Sequence, residues 1–265
     1  MKFAYDHDLH IHSVLSTCCA HPHQTPNRIL EYALEYGLKE VCITDHFWDE
    51  NIEGATEWYK PQNFEHICKS LPLPKAEGVE FLFGAETELD KQLRLGIAKE
   101  TIDKLDFLII PTTHTNGFVL ENEENSEEKR AAIWLQRVDA VLQMELPFHK
   151  VGLAHLACIT ISPKRDREEV ARILNKISSE DLNRIFSRAA SLGVGIELNG
   201  SDMDFQSEAE QNAVIRIFKI AKECGCKFYF GSDCHHPNRL GEVRERFERA
   251  VKLLELTEED KFILK

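Results

Sequence analysis

The sequence predicts an α/β fold: a closed or nearly closed barrel of seven parallel strands, each followed by helix. Three observations predict it. Apolar, strand-like runs alternate with amphipathic helical segments along the whole chain, which implies a parallel sheet with right-handed crossovers. Seven such runs can be counted, a number that suits a barrel better than an open sheet. The chain of 265 residues also matches the about 250 that a barrel of alternating strands and helices takes.

The first strand is expected over 5–12, and a helix follows over 26–36, with Thr25 as N-cap, Pro26 at the first helical position and Gly37 as its stop. Ile29, Leu30, Ala33 and Leu34 give that helix one apolar face. After a strand at 40–45 comes a polar, aromatic-spotted connection over 47–79, with Pro61, Pro72 and Pro74 and one helix near 62–70. Its Phe47, Trp48, Trp58 and Tyr59 read either as a lid that stacks on a substrate ring or as the packing of an inserted helix. Strands at 80–86 and 107–113 precede a helix over 128–145, which carries Ile133, Leu135, Val138, Val141 and Leu142 and stops before Pro147. A strand at 151–155 leads to two short helices within 167–190, and a strand at 194–199 follows. The next helix opens with a capping box, Ser207 and Glu210, and ends at Gly225. The last strand, 227–232, is followed by a helix over 241–255. No repeat, low-complexity tract or linker divides the chain, so 1–265 reads as one domain.

Apolar residues form 43% of the chain, enough for a sizeable core, and no run of 18 apolar residues exists to cross a membrane. The start, MKFAYDHDLH, lacks the apolar stretch of a signal peptide, so the expected location is cytoplasmic. A formal charge of −13 repels nucleic-acid backbones and argues against a DNA- or RNA-binding module. The eight cysteines read as reduced thiols. Cys224-Gly-Cys226 reads as a helix-end turn, and Cys42 and Cys158 as core fillers.

The chemistry is concentrated at strand ends. In DLHIHS, His10 and His12 stand two apart on a strand, so both rings point the same way about 6.6 Å apart, close enough to share one cation. The following strands end with Asp45 and His46, Glu86 and Glu88, His114, His155, Glu197 and Asn199, and Asp233 and His235. Six of the twelve histidines therefore fall at C-terminal strand ends, the side of such barrels where chemistry sits. Imidazoles packed beside carboxylates need partners, and a cation cluster supplies them. Alternation turns Asp45 away from the mouth, where it can orient a ligand or cap a turn, and places Asn199 toward water or substrate.

The ordered set DLHIHS, ITDHF, GAE, the His of TTH, the His of LAH and GSDCH resembles the motifs of the PHP (polymerase and histidinol phosphatase) superfamily, from residue 8 to about 240. The resemblance implies a distorted seven-stranded (β/α)7 TIM-like barrel with a three-metal site that hydrolyses phosphoesters. It assigns His10, His12, Glu86 and Asp233 to a first metal, with Glu86 bridging to a second held by His114 and His155. A third takes His46, His235 and the position six after His12, where relatives often carry His or Asp and this chain has Cys18. A thiolate can bind zinc, and Cys19, His21 and His23 are neighbours that could substitute.

Two to three divalent transition-metal ions follow, zinc, manganese or iron, since histidine-rich shells suit these better than magnesium. Three such ions would bring the mouth to about +3 inside an acidic protein, reversing the local field for an anionic substrate. The expected reaction is attack of a metal-bridging hydroxide on a small-molecule phosphomonoester, with L-histidinol phosphate as the best single substrate, as for standalone chains of this kind. Glu86, Asp233 and His235 are the expected catalytic groups, and His236 is a candidate proton donor. Lys164, Arg165 and Arg167 of ISPKRDR are candidate phosphate clamps, against the competing reading of a solvated helix start, and Arg239 is a further candidate. Alternatives are a nucleotide phosphodiesterase, an amidohydrolase-like metallohydrolase, and a non-catalytic metal-binding protein.

Overall fold

Each apolar run becomes a strand, and each long strand pairs in parallel with the next. The computed structural model describes residues 2–114 and 126–264. Its elements are β1 (His7–Ile11), α1 (Pro26–Tyr36), β2 (Glu40–Ile43), β3 (His46–Phe47), α2 (Phe64–Ile67), β4 (Glu80–Thr87), α3 (Lys99–Ile102), β5 (Phe107–Pro111), α4 (Glu127–Gln143), β6 (Val151–Ala154), α5 (Arg167–Lys176), α6 (Ser179–Leu192), β7 (Gly195–Asn199), α7 (Glu208–Glu223), β8 (Lys227–Gly231) and α8 (Arg244–Leu254). The ladder runs β1-β2-β4-β5-β6-β7-β8, with β3 paired to β4, so the seven-stranded barrel is nearly closed.

The seam between β8 and β1 is held partly by side chains. At the mouth, the His12 amide donates to the Cys234 carbonyl at 3.1 Å and the Asp233 amide to the His10 carbonyl at 2.8 Å. Deeper in, His7 Nε2 accepts from the Phe230 amide and Asp8 Oδ1 from the Ser232 amide, both at 2.9 Å. Buried amides need acceptors, and these two side chains stand in for a ladder. The β1–β2 register shifts between Asp8 and Ile11. An extra residue in a strand re-aims its neighbours. Leu9 therefore joins the apolar interior while His10 still faces the mouth.

Below the mouth the interior is filled by Leu9, Cys42, Phe107, Ile109, Ala154 and Tyr229, and Phe262 of the C-terminal segment packs into the same cluster. The amide of Phe262 is anchored on the Phe228 carbonyl at 2.7 Å. A second, larger core lies between the strands and the helices.

Local signals set most helix ends. Thr25 caps α1 through the Arg28 amide, and Gly37 ends it at φ 67°, the left-handed conformation that suits glycine. The helix expected at 62–70 is the single turn α2 followed by a 3-10 turn at Cys68–Ser70. Cys224 and Gly225 form the turn at the end of α7, as the sequence indicates. Two expectations are corrected. Ser207 caps α7 by accepting from the Glu210 amide, but the Glu210 carboxylate turns to the Gln206 amide and to Arg167 instead of completing a reciprocal box. The strand expected at 40–45 ends at Ile43 as β2, and a separate two-residue strand, β3, follows Thr44 and Asp45.

At the end of the barrel opposite the mouth, the β2–β4 register sets Glu40 beside Glu80. Burial, then Glu80 and Asp6, raise the Glu40 carboxyl from 4.5 to about 7. The unfolded chain ionises at the ordinary value, so between there and neutral pH the folded state holds the extra proton and stability falls as pH rises. Glu40→Gln is expected to raise the melting temperature at about pH 8 and to leave it nearly unchanged at about pH 4. Thermal denaturation checks this; an equal shift at both values contradicts the assignment.

Candidate metal centre

Parallel strands end on the same rim, so residues far apart in sequence meet there. His10 comes from β1, with His12 just beyond it; His46 starts β3, Glu86 lies near the end of β4, and His114 follows β5. His155 follows β6, and Asp233 and His235 follow β8. His155 and Asp233 hold φ of 33° and 54°. That left-handed backbone costs a non-glycine residue about 1–3 kcal/mol and is typical of functional sites. The His155 amide is held at 2.7 Å on Glu197 Oε2, and the Asp233 amide on the His10 carbonyl.

The rings are oriented from behind. Nδ1 of His10 meets Glu197 Oε1 at 2.6 Å, that of His114 meets Glu88 Oε2 at 2.9 Å, and that of His235 meets the Asp233 carbonyl at 2.8 Å. Nδ1 of His12 lies 2.9 Å from the Ser16 hydroxyl, which itself donates to Asp45. Nδ1 of His155 lies 3.2 Å from the Thr113 hydroxyl, which donates to the His155 carbonyl. Each of these five acceptors fixes the proton on Nδ1 and leaves Nε2 with its lone pair toward the rim, the arrangement seen behind metal-binding histidines.

In front, donors crowd one another. His10 Nε2 and His12 Nε2 are 3.1 Å apart. Glu86 places Oε1 3.0 Å from His155 Nε2, and Oε2 3.2 Å from His12 Nε2 and 3.1 Å from His46 Nδ1. Asp233 Oδ1 lies 3.2 Å from His12 Nε2 and 3.5 Å from His10 Nε2. Glu86 Oε2 and His46 Nδ1 are buried without a well-formed hydrogen bond, as atoms waiting for a cation would be. Among the described residues four groups have ligand atoms within 4.8 Å of one another: His10, His12 and Asp233; His10, Glu86 and His155; His114, His155 and Cys158; and His12, Cys18, His46 and His235. The residues present therefore fit a cluster of metal ions.

Electrostatics agree. Burial works against charge on every ring, but Glu197, Asp233 and Glu86 outweigh it at His10 and raise its proton affinity. Burial is likewise outweighed at His155, which the Glu86 hydrogen bond raises to about 9. At Glu86 and Asp233 burial is overcome by the surrounding histidines, which hold both carboxyls well below the ordinary range. Burial, then His12, lowers His235 to about 4.

Several sequence expectations are relocated. Asn199 is tied into the scaffold: its amide donates to Glu197 and its oxygen accepts from Ser201. Lys164 and Arg165 stand exposed on the turn before α5, and line neither the cluster nor the cleft of about 130 Å³ beside it. Arg167 ties α5 to Glu210 of α7, as expected of a helix start. Arg239 lines that cleft with Asp233, His235 and His236, its guanidinium 3.1 Å from Glu242. Cys19 donates to the His235 carbonyl and does not substitute for Cys18, and His21 packs against His236. Phe47, Trp48 and Tyr59 are buried packing, while Trp58 is 38% exposed with its ring 4.8 Å from that of His46. Larger hollows of about 710 and 700 Å³ lie elsewhere and contain no histidine or cysteine.

The sequence reading missed the groups behind the ligands. Glu197 holds both His10 and the His155 amide, and fits because Gly231 faces it: a Cβ there would lie 2.1 Å from Glu197 Oε1. Glu88 is paired at 2.6 Å with Arg137, a buried cation on α4. Cys158, read as core, stands beside His114 and His155. A charge set into an apolar helix face was the available signal for Arg137; nothing in the sequence marked Glu197 above Asn199.

The PHP domain family matches residues 8–201. Over 249 residues the chain is 28% identical to a protein of Thermoanaerobacter sp. (strain X514) named Probable phosphatase, covering 93% of this chain and 84% of that one. A protein of the same name from Caldanaerobacter subterraneus subsp. tengcongensis is 27% identical over 256 residues, covering 96% and 84%. Among solved structures, histidinol phosphate phosphatase from Lactococcus lactis subsp. lactis Il1403, complexed with Zn, L-histidinol and phosphate, aligns over 95% of this chain and 94% of its own with a TM-score of 0.65 at 19% identity, a likeness of fold. Fold and family define a hydrolase of the phosphatase class. The chain belongs to the PHP family.

Removing Arg137 would leave the buried Glu88 carboxylate without its guanidinium partner, held only by His114 and the Leu89 amide. Arg137→Ala is expected to destabilise the fold by about 3–5 kcal/mol, read by urea denaturation, and Glu88→Gln in the same chain should restore part of it. A loss below about 1 kcal/mol would show the pair to be unimportant.

Proposed function

We propose that this protein is a metal-dependent phosphomonoesterase acting on a small molecule, with L-histidinol phosphate as its substrate. The observation that carries the reading is the convergence of Nε2 of His10, His12 and His155, each ring fixed through Nδ1, on Glu86 and Asp233, with His114 and His235 at the flanks of the same cluster. His10, His12, Asp233 and Glu86 would hold one ion; Glu86, His114 and His155 a second; Cys18, His46 and His235 a third. Bound zinc, manganese or iron would polarise phosphoryl oxygens and lower the pKa of water at the site.

The chain's own groups do the rest. Glu86, with one oxygen toward His155 and the other toward His12 and His46, would serve two neighbouring ion sites. His235, held neutral by burial, suits lone-pair donation and not proton delivery. Arg239, on the cleft beside Asp233 and His235, can exchange Glu242 for a phosphate oxygen. Trp58 offers an apolar edge beside His46 for the organic part of the substrate. The cation-rich mouth, about +3 with three divalent ions, sets the anionic substrate apart from the −13 surface. The substrate reading draws on the Lactococcus neighbour, whose structure holds L-histidinol and phosphate. One PHP domain across 1–265 and eight unpaired cysteines suit a cytoplasmic enzyme.

The test is purification without chelator, metal analysis, and assay of an aryl phosphate, an aryl phosphodiester, an aryl amide and L-histidinol phosphate. Phosphate release from monoesters, with His10→Ala and Asp233→Ala losing metal and activity together by more than the roughly 10–100-fold of an outer-layer change, is the expected result. Amide or diester cleavage alone contradicts the reading. Trp58→Ala should raise KM for the preferred monoester several-fold with kcat little changed; an unchanged KM removes Trp58 from the substrate site.

A further inference from the structure

The turn after β6 carries a thiol that the reading above leaves without a role. The Cys158 amide donates to the His155 carbonyl at 3.0 Å, closing a tight turn. That turn brings the Cys158 sulfur back over the rim, where it and one nitrogen each of His114 and His155 lie within 4.8 Å of one another. Glu86 Oε1 stands 3.0 Å from His155 Nε2 on the same side of the cluster. Donors around a tetrahedral ion, with bonds of about 2.0–2.3 Å, stand roughly 3.3–3.8 Å apart, so small side-chain adjustments would place Cys158, His114 and His155 on one ion. The sulfur also lies 3.1 Å from the Thr160 hydroxyl, whose one proton is shared with the Thr113 carbonyl at 3.0 Å, so a neighbouring polar group supports it.

We infer that Cys158 is a ligand of the second cation, alongside His114 and His155. This deepens the proposed function and rests on its cation cluster. The competing role is structural, a thiol that merely hydrogen-bonds His114. The chain then has a sulfur at each flank of the cluster, Cys18 beside His12, His46 and His235, and Cys158 beside His114 and His155. Sulfur favours borderline-soft ions over manganese and magnesium, which makes cobalt(II) a suitable probe. Binding releases the thiol proton, since the ligand is the thiolate.

The experiment loads metal-stripped protein with cobalt(II). It measures cobalt per chain and the near-ultraviolet sulfur-to-cobalt charge-transfer band in the wild type, Cys18→Ser, Cys158→Ser and the double variant, with circular dichroism to confirm that each is folded. The inference expects the band to persist in Cys18→Ser and to vanish in the double variant at similar cobalt content. Cobalt uptake by Cys18→Ser without the band overturns Cys158 as a ligand while leaving the cluster intact. A band that survives in the double variant overturns it as well, by assigning the sulfur elsewhere. Wild-type protein that takes up no cobalt overturns the cluster itself, and this inference with it.

Discussion

Lone pairs crowded at one rim are the constraint on which this structure depends. Nε2 of His10 and His12 stand 3.1 Å apart, and Glu86 and Asp233 oxygens approach that of His12 to 3.2 Å and that of His10 to 3.5 Å, where both rings are wholly buried. Such an arrangement is repulsive unless positive charge lies among the donors. Protons can supply some of it, which is why the neighbouring carboxylates raise the proton affinity of His10 and His155. Divalent ions supply more charge in the same space, and the acceptors behind the rings are already placed for them.

The barrel makes this crowding affordable. Glu197 and His10 are 187 residues apart yet share a short hydrogen bond, because the rim gathers every strand end. The strained backbones of His155 and Asp233 are held by hydrogen bonds to Glu197 and to β1. The open seam beside β8 is closed by His7 and Asp8, so β1 supplies the His10 ring, leads straight into His12, and provides the closure that fixes both relative to Asp233.

What the sequence made legible was local or periodic. Caps are read by neighbours, so Thr25 and Gly37 set α1 to the residue. Period-2 alternation placed His10 and His12 together and turned Asp45 to the outside, where it steadies Ser13 and Ser16. The same rule could not separate Glu197 from Asn199, which share a face; depth along the strand and the absence of a side chain at Gly231 decide that Glu197 reaches His10. The break between β2 and β3 was hidden because it depends on the Asp45 carbonyl meeting the Glu86 amide, a contact set by the neighbouring strand. Cys158 lies past the end of β6 on a turn, where alternation no longer says which way a side chain points. Arg137 sits on the apolar stripe of α4, and its partners, the Glu88 carboxylate and the Thr112 and Leu89 carbonyls, come from residues distant in the chain.

The most direct test of the central claim is crystallographic: anomalous difference maps at the zinc, iron and manganese absorption edges from crystals grown without chelator. The account predicts two or three strong peaks at the rim, between Glu86, Asp233 and the Nε2 atoms of His10, His12, His114 and His155. Well-ordered crystals showing no peak at any of these edges, even after soaking in the same ions, would contradict it.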